Sequence, residues 1–301
     1  MKIAYFPGCS LEGSSKEYNE SLLAVSKEFE IQLEEVHDWN CCGATAAHNL
    51  NKVLSISLPA RTLALAEKQG FSEILVPCAA CYSRLLTAYN ELNKDAALLE
   101  KVKEILEIDF SAKVKPFTVI DFIQKHIQPK LKEKVKKPLN AKIACYYGCL
   151  LVRPPKLVEV ERYEDPLMME SIVKELGATP LDWAFKTECC GAGLSVSRTS
   201  TVGKLCSKIL DDALSRGATM FAVACPMCQS NLDMRRRNAN VFLNEKADAP
   251  VLFITQLIGL ALGLDKKELG LQRHFVPFNL EIFDKPIPKE TLGKSKKVEE
   301  V

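Results

Sequence analysis

The sequence predicts an α/β protein built from two homologous domains. Short apolar runs of strand length alternate with longer segments of helical periodicity, a five-cysteine pattern occurs twice, and the residues around the cysteines repeat with it. The chain has 301 residues, 47% of them hydrophobic and 26% charged, which is enough for two ordinary globular domains. We therefore expect two Rossmann-like domains with short parallel sheets flanked by helices, related by a pseudo-two-fold duplication.

The duplication extends to the residues that flank the cysteines. Three stretches of the first half recur in the second, namely 2–9 as 142–149, 41–44 as 189–192, and 70–81 as 217–228. A period of about 140–148 residues is far too long for a solenoid and indicates two homologous domains. We place these domains at 1–138 and 139–301. We expect the lysine-rich stretch at 128–140 to be a solvated connection.

Local periodicity predicts the main strands and helices. Apolar runs at 74–76 and 221–224 are typical of buried parallel strands. Apolar residues at helical spacing predict four helices, at 54–68, 83–92, 168–176 and 202–214. The uncharged run from Pro250 to Leu264 is too short for a membrane span and predicts a strand followed by a buried helix.

Ten of the twelve cysteines form the duplicated pattern. The first set is Cys9, Cys41, Cys42, Cys78 and Cys81; the second set is Cys149, Cys189, Cys190, Cys225 and Cys228. In each set one cysteine follows the first predicted strand, a vicinal pair precedes a glycine, and a Cys-x-x-Cys motif opens a helix. Ligands of α/β sheets bind at the carboxyl ends of strands, and the positive end of a helix dipole favours thiolate.

The cysteine pattern favours iron–sulfur clusters over two alternatives. We expect a cytosolic chain, because Met1 leads directly into a strand-like segment without a signal peptide, and there clustered cysteines bind metal or do redox chemistry. A thioredoxin-like dithiol at Cys78 and Cys81 needs no vicinal pair and no fifth cysteine. A structural zinc site needs four tetrahedral ligands. The vicinal pairs also suit a larger and more open cluster than a cubane.

Other function classes find little support. A net charge of +2 argues against a nucleic-acid binder driven by bulk charge. The glycines at 191–193 lack the context of a dinucleotide or phosphate loop, and no flavin or nicotinamide site is visible. Electrons for a redox reaction must therefore come from another subunit.

The pattern Cys…Cys-Cys-Gly…Cys-x-x-Cys resembles the cysteine-rich CCG domain family, and its two copies resemble the family of heterodisulfide reductase B subunits. The resemblance runs from the residues 5–9 to 256–261 and 267–271. It implies two non-cubane [4Fe–4S] clusters, one on each cysteine set. It also implies an oxidoreductase acting on a sulfur group, which cleaves a disulfide of the coenzyme M–coenzyme B type, or a related disulfide, between the clusters.

The resemblance also implies partners and a location. The partners are the iron–sulfur electron donor and the flavin protein of a heterodisulfide reductase complex (its C-type and A-type components), and a small-molecule or protein-bound disulfide, with no nucleic acid and no direct membrane insertion. The location would be cytoplasmic or on a membrane complex, in anaerobic metabolism related to methanogenesis. The alternative is a non-catalytic iron–sulfur electron-transfer subunit of a complex resembling succinate, fumarate, glycolate or lactate enzymes.

Three further residues are candidates for catalytic roles. Family members often carry a histidine where this chain has Tyr146, which either donates a proton near a leaving thiolate or packs at a strand end. His48, close to the first vicinal pair, is expected to be a hydrogen-bond donor around the cluster. Arg153 either holds an anionic substrate group or lies in an exposed loop.

Some residues with reactive side chains are expected to be structural. Cys145 and Cys206 stand outside the repeated sets, on a strand and a helical apolar stripe, and are expected to pack in the core. We expect 235–237, three consecutive arginines, to be a solvated face or a partner contact. His126 and His274 have no partner motif and are expected to be surface or satisfied core residues.

Overall fold

The computed structural model describes residues 1–44, 47–277 and 279–283, without the side chains of His48 and Ile282. In these ranges it contains two four-stranded sheets. The strands are β1 (Lys2–Tyr5), β2 (Gln32–Glu35), β3 (Glu73–Leu75), β4 (Lys115–Phe117), β5 (Lys142–Tyr146), β6 (Thr179–Pro180), β7 (Met220–Val223) and β8 (Val251–Phe253). All their pairings are parallel. The prediction of an α/β duplication is confirmed.

Helices cover the sheets and connect the strands. The α-helices are α1 (Gly8–Glu12), α2 (Lys16–Glu28), α3 (Ala47–Leu50), α4 (Lys52–Lys68), α5 (Ala79–Lys94), α6 (Ala96–Leu106), α7 (Val119–Phe122), α8 (Gln128–Lys134), α9 (Pro155–Val158), α10 (Met168–Glu175), α11 (Thr199–Ser215), α12 (Pro226–Asp233), α13 (Arg236–Asn240) and α14 (Ile254–Ala261). A π-helical turn spans Ile123–Ile127, and 3₁₀ turns span Ala192–Leu194, Leu271–Arg273 and Leu280–Phe283. The four helices predicted from periodicity correspond to α4, α5, α10 and α11.

The two sheets have the same topology. Their strand orders are β2-β1-β3-β4 and β6-β5-β7-β8, so the first strand of each half lies inside its sheet. The register pairs Tyr5 with Leu75 in one sheet and Tyr146 with Val223 in the other. In each sheet the chain passes from the first strand to the second on one side and then returns to the third on the other side. A crevice therefore forms at the carboxyl ends of β1 and β3, and of β5 and β7. The cysteines that follow these four strands lie at the two crevices.

The halves share a hydrophobic core, which fixes their arrangement. Helix α2 of the first half packs against α14 of the second. The buried ring of Tyr18 stacks on Phe253, with ring centroids 4.0 Å apart and an interplanar angle of 4°. Tyr18 also donates a hydrogen bond to the carbonyl of Ala224 at 3.2 Å, and the hydroxyls of Ser21 and Thr255 lie 2.7 Å apart. These contacts lie beside Cys225 and so position the two cysteine sets.

The five lysines of the stretch between the halves are exposed, as expected for a solvated connection. The stretch is nevertheless not a free connection, because 128–134 forms α8 and Leu131 is fully buried. Gln128 donates to the carboxylate of Glu175 at 2.8 Å, and Lys134 donates to the carbonyl of Glu28 at 2.7 Å. The lysines lie on the outer face of a helix whose apolar side joins the shared core.

The apolar run at 250–264 adopts the predicted structure. It forms β8 and then α14, and every residue of α14 is buried. Burial on all sides explains why this helix lacks a polar face. Among the helices that the structure describes, none combines the length and the apolar character needed to cross a membrane.

The Tyr18 stack yields a prediction for stability. Tyr18→Ala removes a buried aromatic ring at the boundary between the halves, and we expect it to lower the free energy of unfolding by about 3–5 kcal/mol. Tyr18→Phe keeps the stack and loses only the hydrogen bond to Ala224, at a cost of about 1 kcal/mol. Anaerobic denaturant unfolding of the three proteins measures both. Equal losses in the two variants would show that the stack contributes nothing.

Candidate metal centres

A glycine precedes the first cysteine of each set and brings the backbone close to the Cys-x-x-Cys motif. Gly8 and Gly148 have φ angles of +62° and +66°, in the left-handed region that favours glycine. A Cβ atom on Gly8 would lie 3.3 Å from Cys81 Sγ, and one on Gly148 would lie 2.8 Å from Cys228 Sγ. The close approach of this backbone to the last cysteine of the set thus explains why a glycine precedes the first cysteine in both halves.

The glycine after each vicinal pair plays a similar part. Gly43 and Gly191 have φ angles of +74° and +77°. A Cβ atom on either would lie 2.9 Å from a leucine Cδ1, that of Leu58 in α4 or that of Leu205 in α11. The turn that carries each vicinal pair is therefore pressed against the following helix in the same way in both halves.

The Cys-x-x-Cys motifs begin α5 and α12, as predicted. Cys78 and Cys225 are the N-cap residues, with extended backbone, and their carbonyls accept hydrogen bonds from Tyr82 N–H at 2.8 Å and Gln229 N–H at 3.0 Å. The positive end of each helix dipole faces these thiols and favours their deprotonated form, which is the form that binds metal.

Within each half the sulfur atoms come close together. In the first half Cys42 Sγ lies 3.1 Å from Cys81 Sγ. In the second half Cys190 Sγ lies 3.7 Å from Cys228 Sγ. All twelve cysteines of the chain are free thiols. The pairing links the second cysteine of the vicinal pair with the last cysteine of the set, in the same way in both halves.

The two cysteine sets meet at the boundary between the halves. Cys78 lies close enough to Cys225 for that thiol to raise the pKa of Cys78. The position equivalent to Ala79 in the second half is Pro226, which has no N–H, so the two helix openings differ in their backbone donors. Equivalent cysteines therefore approach each other from helix openings that are not identical.

Each set has an exposed end and a buried end. Cys9, Cys41 and Cys189 are exposed, and Cys149 is half-buried. The other six are buried: Cys42, Cys78, Cys81, Cys190, Cys225 and Cys228. Each set therefore has thiols near the surface and thiols in the interior.

Shared protons leave some of these thiols prone to ionise. A hydrogen bond from Cys81 lowers the pKa of Cys42 to about 7. A hydrogen bond from Cys149, assisted by the Gly191 N–H at 3.3 Å, lowers the pKa of Cys189 to about 6. The pKa of the other thiol in the pair changes in the opposite direction. The pKa of Cys149 is raised, first by its hydrogen bond with Cys189. Each half therefore offers thiolate to a metal near neutral pH.

The donor chemistry fits iron–sulfur clusters. Among the described residues, no three Cys, His, Asp or Glu side chains gather around a single point as one metal ion requires. The thiols of each half are instead distributed between exposed and buried positions. In an iron–sulfur cluster each iron takes its own thiolate, so its ligands are spread over a larger volume than those of one ion.

A polar residue that sequence analysis missed faces each vicinal pair. Arg84 and Asn231 both lie three residues after the last cysteine of their set, one helical turn into α5 and α12. The pKa of Cys42 is lowered first by its hydrogen bond with Cys81 and, less strongly, by the charge of the half-buried Arg84. Asn231 donates to the carbonyl of Cys190 at 3.0 Å and lies 3.6 Å from its sulfur. Both residues lie at the same distance from the Cys-x-x-Cys motif, and this equal spacing in the sequence could have identified them.

Tyr146 lies against the second cysteine set. Its buried hydroxyl donates to the carbonyl of Glu188 at 2.7 Å, immediately before the vicinal pair. Burial and the neighbouring thiols, Cys228 first among them, raise the pKa of Tyr146 well above its ordinary value. Its equivalent in the first half is Phe6, which packs edge-on against Trp39 with centroids 5.2 Å apart. The hydroxyl is thus a feature of the second half alone.

The other two catalytic candidates have different outcomes. The half-buried Arg153 donates from Nη2 to the Thr187 hydroxyl at 3.3 Å, two residues before Cys189, so it contacts the segment that carries the vicinal pair. The backbone of His48 lies in α3, but its side chain is outside the described residues. The structure therefore brings Tyr146 and Arg153, but not the side chain of His48, to the second set.

A buried ion pair, also missed by sequence analysis, supports the turn at Cys149. Lys186 Nζ lies 2.6 Å from Asp165 and 3.2 Å from the buried carboxylate of Glu170, to which Tyr147 donates a hydrogen bond. The carbonyl of Lys186 accepts from Tyr147 N–H at 2.9 Å and Gly148 N–H at 3.1 Å. The two segments that carry Cys149 and Cys189 are thereby held together.

The two cysteines outside the sets are buried. Cys145 lies in β5 near Glu170 and Lys186, and burial raises its pKa well above the ordinary value. Cys206 lies in α11, with its sulfur 3.7 Å from the carbonyl of Cys190. Cys206 therefore packs behind the second vicinal pair.

The structure gives different results for His274 and for the arginines at 235–237. His274 is satisfied, since Nδ1 lies 3.2 Å from Gln229 and Nε2 lies 3.0 Å from Gln256. The prediction that 235–237 form a solvated face is wrong for Arg236. Its buried guanidinium bonds three carbonyls, those of Leu232, Ala247 and Ala249, because α13 turns this side chain toward the segment that leads to β8.

The family described as "Cysteine-rich domain" (CCG) matches residues 3–85 and 143–233, which include every cysteine of both sets. The chain belongs to this family. The matched segments coincide with the two repeats, and each runs into the helix that its Cys-x-x-Cys motif opens.

Relatives of this CCG protein are subunits of multi-subunit reductases. It is 33% identical over 279 residues to the 8-methylmenaquinol:fumarate reductase membrane anchor subunit of Wolinella succinogenes, covering 91% of this chain and 97% of that one. It is 30% identical over 295 residues to the B subunit of the ferredoxin/F(420)H(2)-dependent CoB-CoM heterodisulfide reductase of Methanosarcina acetivorans, covering 94% and 96%. The B subunit of the ferredoxin:CoB-CoM heterodisulfide reductase of Methanosarcina mazei is 28% identical over 292 residues, covering 94% and 96%. The resemblance to the heterodisulfide reductase B subunits is confirmed.

A solved structure shares the fold of this CCG protein. The crystal structure of a hypothetical protein from Helicobacter pylori superimposes with a TM-score of 0.73 at 13% sequence identity. The match covers 92% of this chain and 52% of that one, so the chain spans about half the length of that protein. At this identity the likeness supports the fold alone.

The glycine geometry predicts the effect of a small substitution. Gly191→Ala places a Cβ 2.9 Å from Leu205 Cδ1 at a left-handed φ, and we expect it to lower the free energy of unfolding by about 1–3 kcal/mol. Gly193→Ala is the matched control two residues away, where no atom lies within 4 Å of the added Cβ. Anaerobic thermal unfolding measures both. An equal change in melting temperature would refute the packing argument.

Proposed function

We propose that this chain is the disulfide-reducing subunit of a multi-subunit oxidoreductase. The first cysteine set would hold one non-cubane [4Fe–4S] cluster and the second set another. The observation that carries the proposal is the position of two equivalent thiol sets on either side of one shared core, where Tyr18 of the first half bonds the carbonyl that precedes Cys225 of the second. Two clusters held this close together can act on the two sulfurs of one bond.

Electron counting supports a pair of centres. When bound, each cluster supplies one-electron chemistry and an iron that takes up sulfur. Cleavage of one disulfide needs two electrons and two protons and yields two thiols. Two halves at 1–138 and 139–301, one centre in each, match that requirement. The duplication thus has a chemical reason as well as an evolutionary one.

The residues around the cysteines have proposed roles of their own. Tyr146 is a positioning residue, because its hydrogen is given to the Glu188 carbonyl and holds the segment that carries the second vicinal pair. Arg153 uses one N–H group to bond the Thr187 hydroxyl. Its other N–H groups suit an anionic end group of the substrate. His48 remains a proposed hydrogen-bond donor beside the first set.

Partners follow from the relatives and from the chemistry. The relatives from Wolinella succinogenes and Methanosarcina acetivorans are subunits of reductase complexes, the first of them a membrane anchor subunit. We propose as partners the C-type iron–sulfur donor and the A-type flavin protein of a heterodisulfide reductase complex. We also propose a cytoplasmic location, with attachment to a membrane complex through such partners. The substrate is a disulfide of the coenzyme M–coenzyme B type or a related one.

A second candidate function is that of an electron relay in a fumarate-reductase-like complex. Two observations favour it. The relative from Wolinella succinogenes belongs to such a complex. Both cysteine sets of this protein also have exposed thiols, Cys9 and Cys41 in the first set and Cys189 in the second. Exposed thiols on both halves suit the passage of electrons between two partners.

A thiol titration separates the two functions. The anaerobically purified chain is reduced with viologen, supplied with coenzyme M–coenzyme B disulfide and other thiol disulfides, and assayed for released thiol. Electron paramagnetic resonance of the oxidised protein is then recorded with and without thiol. The reductase hypothesis predicts thiol release and a changed signal, since an iron takes up sulfur. An unchanged signal without thiol release would contradict the reductase function and favour the electron-relay function.

Ligand assignment is tested by iron content. Cys190→Ala removes one proposed ligand of the second set, and we expect loss of about half of the bound iron and sulfide, together with loss of turnover. Cys206→Ala is the matched control, a buried cysteine whose sulfur lies 3.7 Å from the Cys190 carbonyl. It should retain its iron. Full iron in both variants, or equal loss in both, would contradict the assignment.

A further inference from the structure

We infer that one face of the second half docks an acidic electron-donor protein, so that electrons enter this chain through the second cysteine set. The inference rests on the proposed function, because both candidate functions require a donor. The face, here called the α11–α13 face, comprises Val196, Arg198, Lys204, Arg235, Val241 and Phe242.

Cations predominate on this face. The segments 191–210 and 234–244 contain no Asp or Glu, and the acidic residues nearest in sequence flank them: Glu188, Asp211, Asp212, Asp233 and Glu245. The two segments contain six cations: Arg198, Lys204, Lys208, Arg235, Arg236 and Arg237. Arg236 is buried on carbonyls, and the other five have no carboxylate within 4.0 Å among the ion pairs of the described residues. The face therefore presents five cations that no ion pair in the described part of the chain holds.

The equivalent surface of the first half has been neutralised. In the segment 43–62 the cations are Lys52 and Arg61, and each has a partner: Lys52 lies 3.7 Å from Glu91, and Arg61 pairs with Asp38. At equivalent segments of the described chain, therefore, the cations of the first half are paired and those of the second half are not.

The residues of the face are in contact with one another. Arg235 Nη2 donates to the carbonyl of Ser195 at 2.9 Å, which joins the start of α13 to the turn that carries Val196. Lys204 Nζ lies 5.6 Å from the centroid of the Phe242 ring. A Cβ atom on Gly203 would lie 3.1 Å from Phe242, so α11 and α13 are packed without a gap. The face is one continuous surface.

Exposed apolar side chains lie among the charges. Val196 is 91% exposed, Val241 77% and Phe242 39%. Leaving such side chains in water is unfavourable, and an apolar centre with a charged surround is typical of protein–protein interfaces. The combination favours a partner that covers the apolar residues and carries carboxylates at its edge.

The face adjoins the exposed end of the second cysteine set. Cys189 is exposed, and its sulfur accepts the Gly191 N–H at 3.3 Å. A Cβ on Gly191 would lie 2.9 Å from Leu205 Cδ1 and 3.4 Å from Val202 Cγ2, both in α11. The turn that carries the exposed Cys189 is therefore packed directly against α11, the helix that forms much of the face.

An acidic protein suits this face better than a lipid surface. Helices that lie on membranes carry a long apolar stripe, whereas the exposed apolar residues here come from a turn and the end of a short helix. The net charge of the chain is only +2, so attraction is local and directs the partner to this face. Each encounter would oxidise the donor by one electron and reduce the second centre by one.

Charge reversal tests the docking. Reduced acidic plant-type [2Fe–2S] ferredoxin is mixed anaerobically with the iron-loaded protein in a stopped-flow instrument, and reduction is followed by absorbance. We expect Arg198→Glu with Lys204→Glu to slow the second-order rate about ten-fold at low ionic strength, with a smaller difference at high salt. Lys101→Glu with Lys113→Glu makes the same change in net charge on exposed residues of the first half, and should have little effect.

Two further measurements make the result decisive. Reduction by methyl viologen, a small cation, should be unaffected in both double variants, which shows that the iron centres are intact. An equal loss in both double variants, or none in either, would overturn the inference, as would binding of the wild-type face to phosphatidylglycerol vesicles without any effect on ferredoxin. A wild-type protein that accepts electrons from ferredoxin but cleaves no disulfide would overturn the reductase proposal and leave the docking site standing.

Discussion

The boundary between the two halves is the contact on which the rest of the site depends. Tyr18 reaches from α2 across that boundary, stacks on Phe253 and bonds the carbonyl that precedes Cys225. The shared core brings Cys78 close enough to Cys225 for that thiol to raise the pKa of Cys78. Separate domains on a flexible linker would leave the separation of two cysteine sets undefined. Here the aromatic stack and the buried α14 hold the two cysteine sets of a duplicated chain in one fixed arrangement.

Around that shared core the two cysteine sets have diverged. The N-cap cysteine of α5 is followed by Ala79 and that of α12 by Pro226, which has no N–H. Asn231 offers a neutral amide to Cys190, whereas the equivalent position of the first half holds the cation Arg84. Hydrogen bonds and charges around cluster sulfurs set reduction potentials, so under the proposed function the two equivalent cysteine sets would not hold clusters of equal potential.

The features that were predicted from sequence are those that repeat or alternate locally. The cysteine spacing, the strands at 73–75 and 220–223 and the helix openings at Cys78 and Cys225 belong to short segments whose pattern is complete in itself. The failures share a different cause. Leu131 in α8 and the carbonyls that hold Arg236 find their partners in distant segments, as does the Lys186–Glu170 pair. Composition marks such residues as solvated, and only the tertiary structure supplies what buries them.

The proposed direction of electron flow combines the exposure of the thiols with the divergence of the surfaces. Both sets reach solvent, at Cys41 and at Cys189, so a symmetric molecule would accept electrons equally at either end. In the first half Arg61 is paired with Asp38, while Arg198 of the second half has no such partner among the described residues. If the two sets hold clusters as proposed, the symmetric interior would supply two centres able to cooperate on one bond. The asymmetric surface would give those centres a preferred source of electrons, and neither property would require a change in the ten cysteines.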